Sequence, residues 1–234
     1  MLELFPQGFE EREDEDGLEL VAYTDAGGEE RLWHVFGGVR SAEVGEGWED
    51  RWRAFHRGVR VGHLWVGPPW ETPPPGSLSV VIEPGRAFGT GSHPTTRLAL
   101  LLLLGLPRAS LLDVGCGSGV IAVAAAKLGF RPVTAVDVDL ESVVSARRNA
   151  LANGVSVEVL QADALARPLP RAETAVANIA LDAVTELGSR IGATWLVTSG
   201  YLAWERPSLP AFGPVCRREE EGWAADLWKR VSAQ

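Results

Sequence analysis

Residues Leu111 to Gly119 read Leu-Leu-Asp-Val-Gly-Cys-Gly-Ser-Gly, and an apolar, alanine-rich run from Val120 to Leu128 follows at once. Such a stretch has few folding solutions. A short apolar strand ends near Asp113, three glycines at alternate positions turn the chain, and good helix formers carry it away. Glycine lacks Cβ, so the backbone can turn tightly there and a ligand can lie against it. The helix beyond presents unpaired N–H groups to an anion. The rest of the chain repeats the pattern. Strands are expected over Leu78–Ile82, Pro132–Asp137, Val155–Leu160, Thr174–Asn178 and Ala193–Ser199. Helices are expected from Pro94 through Leu104 and over Leu140–Asn153, the latter with Asp139 as N-cap and Gly154 as its stop. Phe212–Arg218 and Trp223–Arg230 read as a closing antiparallel hairpin. Alternating strands and helices imply an α/β fold, a mostly parallel Rossmann-like sheet covered on both faces. Ligands of such sheets sit at the carboxyl ends of the strands, where Asp113, Asp137 and Asn178 fall.

Dinucleotide sites usually carry Gly-x-Gly-x-x-Gly. Here Gly119 follows Gly117 by two residues rather than three. An acid before the first glycine, with this spacing, resembles motif I of the class I S-adenosylmethionine-dependent methyltransferases. Asp137 lies 22 residues after Gly115, where that family carries the acid that holds the ribose hydroxyls. A nicotinamide site and a glycine turn without a ligand are the competing readings.

The resemblance narrows upstream and downstream. Glu83-Pro-Gly-Arg-Ala-Phe-Gly-Thr-Gly-Ser-His-Pro-Thr-Thr96 precedes the glycine turn, and Val176-Ala-Asn-Ile179 follows it. Together these resemble the bacterial methyltransferases of large-subunit ribosomal protein eleven, over roughly residue 78 to the end. The resemblance implies S-adenosylmethionine as cofactor, contacted by Thr96, Gly115, Asp137 and Asn178. Asp113 suits the cationic end of that donor, and the amides near Gly117, Ser118 and Gly119 suit its carboxylate. The loop carrying Phe88 and Gly89 is placed to close over it. Asp163 is read either as reaching the adenine amino group or as an ordinary turn aspartate. His93 is read as a proton acceptor or as a structural residue of the loop.

Methyl transfer from a sulfonium needs neither metal nor acid, only positioning and a shaped charge around the donor. A lysine amine, with a pKa of about 10.4, is neutral in about one molecule in a thousand at neutral pH. Asn178, as the catalytic candidate, would accept an amine hydrogen and aim the nitrogen lone pair; a strand-end turn former is its other reading. The expected substrate is an amino group of a ribosomal protein, on lysine side chains or the N-terminal amine. Another protein or a small amine is the second reading, and a donor-binding domain without catalysis the third.

Residues 1–66 are expected to form a small α+β domain that recognises the substrate, 67–77 a proline-rich linker and 78–234 the donor-binding domain. Leu18–Thr24 and Arg31–Phe36 read as two strands around Asp25-Ala-Gly-Gly28, the acidic run Glu10–Asp16 as a solvated loop, Glu46–His56 as an amphipathic helix and Val59–Val66 as one strand. Gly67 to Gly76 holds five prolines and suits a linker. The resembling family carries a fuller N-terminal domain; residues 1–65 are similar only to its later part. The segment between Asn178 and Thr198 is also short.

The formal net charge of −9 argues against a generic polyanion binder and leaves no sequence-specific nucleic-acid contact expected. Cys116 and Cys216 form no metal spacing, and His34, His56 and His63 have no partners in sequence that suggest one. Cys116 reads as a small filler within the turn. Leu98–Leu106 is too short to span a bilayer and no apolar leader opens the chain, so a cytoplasmic protein without membrane contact is expected.

Overall fold

The computed structural model describes residues 10–14, 17–22, 24, 26–41, 56–85 and 89–231. The chain divides into two compact units, Met1–Phe55 and His56–Gln234. In the first, β1 (Glu10–Asp14) pairs antiparallel with β2 (Gly17–Val21), and α1 covers Ala26–Phe36. Two expectations are corrected here. The acidic run supplies a strand rather than a loop, and Arg31–Phe36 ends a helix rather than forming a strand. The glycines expected to make a hairpin turn lie in the helix's first turn, where they break little. Glu29 near the N-terminus and His34 near the C-terminus complement the helix dipole. The helix expected over Glu46–His56 lies, up to Phe55, outside the described residues.

The second unit opens with a three-stranded sheet. β3 (Val59–Val61) turns through Gly62 and His63 into antiparallel β4 (Leu64–Gly67), so the single strand expected there is a hairpin. β4 then runs parallel to β5 (Leu78–Val81). Parallel neighbours need a crossover, and the proline segment is that crossover. It therefore lies inside the second unit and does not mark a domain boundary, which falls between Phe55 and His56. Buried Trp65 holds the corner. A Cβ on Gly58 or Gly67 would lie within 2.5 Å of its ring.

The larger sheet orders as β11-β12-β10-β9-β6-β7-β8. Its strands are β6 (Leu111–Val114), β7 (Val133–Asp137), β8 (Glu158–Gln161), β9 (Thr174–Asn178), β10 (Trp195–Leu202), β11 (Phe212–Glu220) and β12 (Trp223–Arg230). β6 to β10 are mutually parallel; β12 is antiparallel to both β10 and β11. The helices are α2 (Pro94–Leu104), α3 (Val120–Leu128), α4 (Leu140–Ala152) and α5 (Leu181–Leu187). Side chains alternate between faces along β6 and β9. Leu111 and Val176 join the core beneath α2, α3 and α4, with Leu103, Val123 and Val143. Leu112 and Ala175 join the opposite core, with Leu187, Tyr201 and Trp228. Burial on both faces explains why these strands do not alternate between apolar and polar residues.

From β6 the chain winds outward through β7 and β8, then returns to β9 on the other flank of β6. The crevice between the carboxyl ends of β6 and β9 is thus the switch point of the sheet.

Candidate active site

The glycine turn fills one side of this crevice. Gly115, Gly117 and Gly119 all have left-handed backbone, with φ of 68°, 52° and 79°. The Gly115 and Cys116 N–H groups both donate to the Val136 carbonyl, at 2.9 and 3.1 Å, which pins the turn to β7. A Cβ on Gly115 would lie 2.3 Å from Cγ2 of Ile179. Cys116 is buried, as a filler side chain should be, and burial pushes its thiol pKa up.

Asp137, at the end of β7, accepts the Gly117 N–H on Oδ2 at 2.8 Å and the Asp139 N–H on Oδ1 at 3.0 Å. Each oxygen keeps a second acceptor position. Asp139 is the N-cap of α4, its carboxylate accepting the Ser142 N–H at 2.9 Å, which lowers its pKa.

Asp113 sits on β6 with 1% of its surface exposed. The N-cap of helix α3 is Gly119, which has no side chain to cap it. Asp113 Oδ2 does that work from the strand by accepting the Ala122 N–H at 3.0 Å. Its other oxygen is buried with no hydrogen-bond partner among the described residues. Burial raises the carboxyl pKa to about 7, against the opposing pull of the Ala122 amide and with a further push from the Asp137 charge.

Asn178 ends β9 on the other side of the crevice. Its Nδ2 donates to Oγ1 of Thr96, at 3.4 Å a long bond, and its Oδ1 is buried without a partner among the described residues. Thr96 is fully buried in the first turn of α2. His93 is the N-cap of that helix, its Nδ1 meeting Thr95 Oγ1 at 2.8 Å. Burial is the main cause of its lowered pKa, with the Arg97 charge second. The structure thus gives His93 the structural role foreseen as one of its two readings.

Of the other candidates, Gly89 accepts a hydrogen bond from Ser118 Oγ, tying the loop to the glycine turn. Phe88 lies outside the described residues. Asp163, exposed beyond β8, turns its Oδ1 to the Leu165 N–H at 2.8 Å, as a turn aspartate does.

Two features had no sequence signal strong enough to name them. Asn149, on α4 and 1% exposed, donates to the Ser118 carbonyl at 2.9 Å and accepts the Glu83 N–H at 3.1 Å. One amide therefore joins the glycine turn to the root of the loop. The second is Gly200, at φ 100°, whose Cβ would lie 2.3 Å from the Ile179 carbonyl oxygen. Gly115 and Gly200 together leave room for Ile179, just after Asn178: Gly115 for its side chain, Gly200 for its backbone. An asparagine inside a helix and a glycine in a strand looked unremarkable by pattern.

The profile of the family described as ribosomal protein L11 methyltransferase (PrmA) matches residues 10–206. The chain belongs to this family. A ribosomal protein L11 methyltransferase from Symbiobacterium thermophilum is 40% identical over 199 residues, covering 78% of this chain and 65% of the relative. Another, from Caldanaerobacter subterraneus subsp. tengcongensis, is 40% identical over 173 residues, covering 68% and 56%. The chain thus spans between about half and two thirds of the length of these curated relatives. The crystal structure of the ribosomal protein L11 methylase from Lactobacillus delbrueckii subsp. bulgaricus superposes with a TM-score of 0.66 at 28% identity, covering 76% of this chain and all of that one. The family match includes every candidate residue above. It stops before β11 and β12, which begin at Phe212.

Proposed function

We propose that this protein is an S-adenosylmethionine-dependent methyltransferase acting in the cytoplasm on amino groups of a ribosomal protein, L11 first. The lysine side chains and the N-terminal amine are the proposed acceptors. The observation that carries this reading is the buried, unpartnered Oδ1 of Asn178 at the switch point of the sheet. A buried acceptor without a donor is costly, and an incoming amine supplies the missing N–H. Family membership supports the same chemistry.

The residues present fit the donor. When bound, it supplies an electrophilic methyl group on a cationic sulfur. Asp113 would face the donor's positive charge with its unpartnered oxygen, while its other oxygen keeps α3 capped. Asp137 would hold the ribose hydroxyls with the acceptor positions that the Gly117 and Asp139 amides leave free. The left-handed glycines let backbone amides approach without an intervening Cβ. Thr96 holds the amide of Asn178, so that its carbonyl oxygen accepts one amine hydrogen and the nitrogen lone pair points away from it. That lone pair would take the methyl group the donor supplies, and a neutral thioether would be the leaving group. The product ammonium loses its proton to water.

Transfer of tritiated methyl from the donor to purified L11, with a cell extract alongside, tests the reading. Label on L11 supports it. Label only on another protein or a small amine moves the substrate. Donor binding with no label anywhere leaves a binding domain without catalysis. The substrate-recognition role proposed for the N-terminal part is tested by removing residues 1–55, the cut that spares the β3–β4 hairpin. Donor affinity should be unchanged and transfer to L11 greatly reduced in a folded, monodisperse product.

A further inference from the structure

Arg97 lies in the first turn of α2, next to Thr96, and it is in an unfavourable place. A cation near a helix N-terminus opposes the helix dipole. The compensation comes from the far end of the chain. The β11–β12 hairpin closes through Glu221 and Gly222, with φ of 50° and 78°, between the paired residues Glu220 and Trp223. Two positive φ values make this a type I′ turn, whose first position favours Asn, Asp or Gly. Glu221 is the one non-glycine residue with positive φ among the described residues. Local backbone preference does not explain a glutamate there.

Its contacts do. Glu221 Oε1 lies 2.8 Å from an Arg97 terminal nitrogen, and both Glu220 oxygens accept from Arg97 Nε at 3.2 Å. The other terminal nitrogen of Arg97 donates to the Ser92 carbonyl, in the loop before the helix. Arg97 is 18% exposed, so this network is partly withdrawn from solvent. At the same junction the Trp223 ring meets the His93 ring edge-on, with centroids 4.9 Å apart. The hairpin tip therefore touches both the N-cap of α2 and its first turn, which carries the partner of Asn178.

We propose that the tip of the β11–β12 hairpin, through Glu220 and Glu221, is a clamp on Arg97 that positions Thr96 and thereby the Asn178 amide. It rests on the methyl-transfer reading for its consequence, though not for its geometry. Glu220 and Glu221 are positioning residues, since neither reaches the reacting atoms. Glu221 occupies a left-handed position, at a local cost, because its carboxylate is used elsewhere.

The double variant Glu220→Ala/Glu221→Asn removes both carboxylates and gives the turn the residues it prefers, so the hairpin should persist. Glu221→Asn by itself should melt no lower than wild type. In the double variant, amide exchange at Thr96 and Arg97 should be about fivefold faster, the scale of an exposed ion pair. The side-chain amide resonance of Asn178 should shift. The kcat for L11 methylation should fall about tenfold with S-adenosylhomocysteine affinity within about twofold, because small misplacements near a reacting centre are amplified. Unchanged exchange and an unshifted Asn178 resonance overturn the clamp whatever the rate does. Faster exchange with wild-type kcat overturns its positioning role. If wild type transfers no methyl group, the function proposed above fails by itself, and the exchange and resonance measurements still decide the clamp.

Discussion

The two sides of the crevice are built on opposite plans. On the β7 side, Asp137 spends an acceptor position of each oxygen on a backbone amide, and the glycine turn is pinned to β7 by two more hydrogen bonds. That side is held by its own hydrogen bonds before any ligand arrives. On the β9 side, Asn178 has one long bond to Thr96 and a buried oxygen with nothing to accept. Asp113, between them, shares both plans: one oxygen caps α3 and the other is unpartnered. The contrast teaches that saturated groups hold the shape of the crevice, while its unsaturated groups are the ones the proposed chemistry would complete.

The strongest way to break the contrast is Asn178→Ala. Removing a preorganised polar group aimed at the reacting centre lowers kcat by about a hundredfold or more. Donor affinity, to which Asn178 adds no more than one contact, should fall far less, by about threefold, the scale of one neutral hydrogen bond. Kinetics with L11 beside calorimetry with S-adenosylhomocysteine separate the two, and equal losses in both would erase the distinction.

Gly200→Ala tests the packing behind Asn178. The new Cβ meets backbone atoms of Ile179 at 2.3 to 2.9 Å at a φ of 100°, and neither can yield cheaply. The expected loss is about 2–3 kcal/mol in urea unfolding. Gly129→Ala, at a similar φ of 97° with open space around it, is the control and should lose only about 1 kcal/mol. Equal losses would assign the effect to φ and clear Ile179.

Asp137→Ala should weaken the donor by about tenfold or more, since charge-assisted hydrogen bonds are worth about 1.5–3 kcal/mol. Unchanged affinity by calorimetry would remove Asp137 from the donor site.

The smallest effect sharpens the role of Asp113. Its carboxyl rises from 3.8 to about 7 on folding, so the folded chain keeps a proton that the unfolded chain releases. Its contribution to stability is complete below 3.8 and is lost as pH climbs to about 7. A cationic donor prefers the carboxylate, so affinity should rise about threefold between about pH 6.5 and about pH 7.5. In Asp113→Asn both slopes should flatten; a pH dependence that survives the substitution belongs to another group.

Much of this is legible in the sequence. β9 has the bounds expected of it, Thr174–Asn178, and Asp139 caps α4 as its position before the helix required. These are local matters of period, glycine and capping, and burial on both faces leaves strands such as β6 and β9 no other reading. The first unit was less legible because α1 carries both helical spacing and two glycines, and the glycines suggested a turn. β8 starts at Glu158 rather than Val155, since the Val155 N–H closes the end of α4 on the Ala150 carbonyl.

By itself the sequence determined the strand–glycine–helix unit, the two acids on neighbouring strands and the asparagine that ends β9, because each is set by backbone preference within a few residues. Only the tertiary structure decided which polar atoms are left over. Asn149 joins two loops 31 and 66 residues away, and Arg97 finds its carboxylates 123 and 124 residues away. Saturation depends on everything that packs around an atom, so the two unpartnered oxygens of Asp113 and Asn178 appear only when the whole sheet has closed.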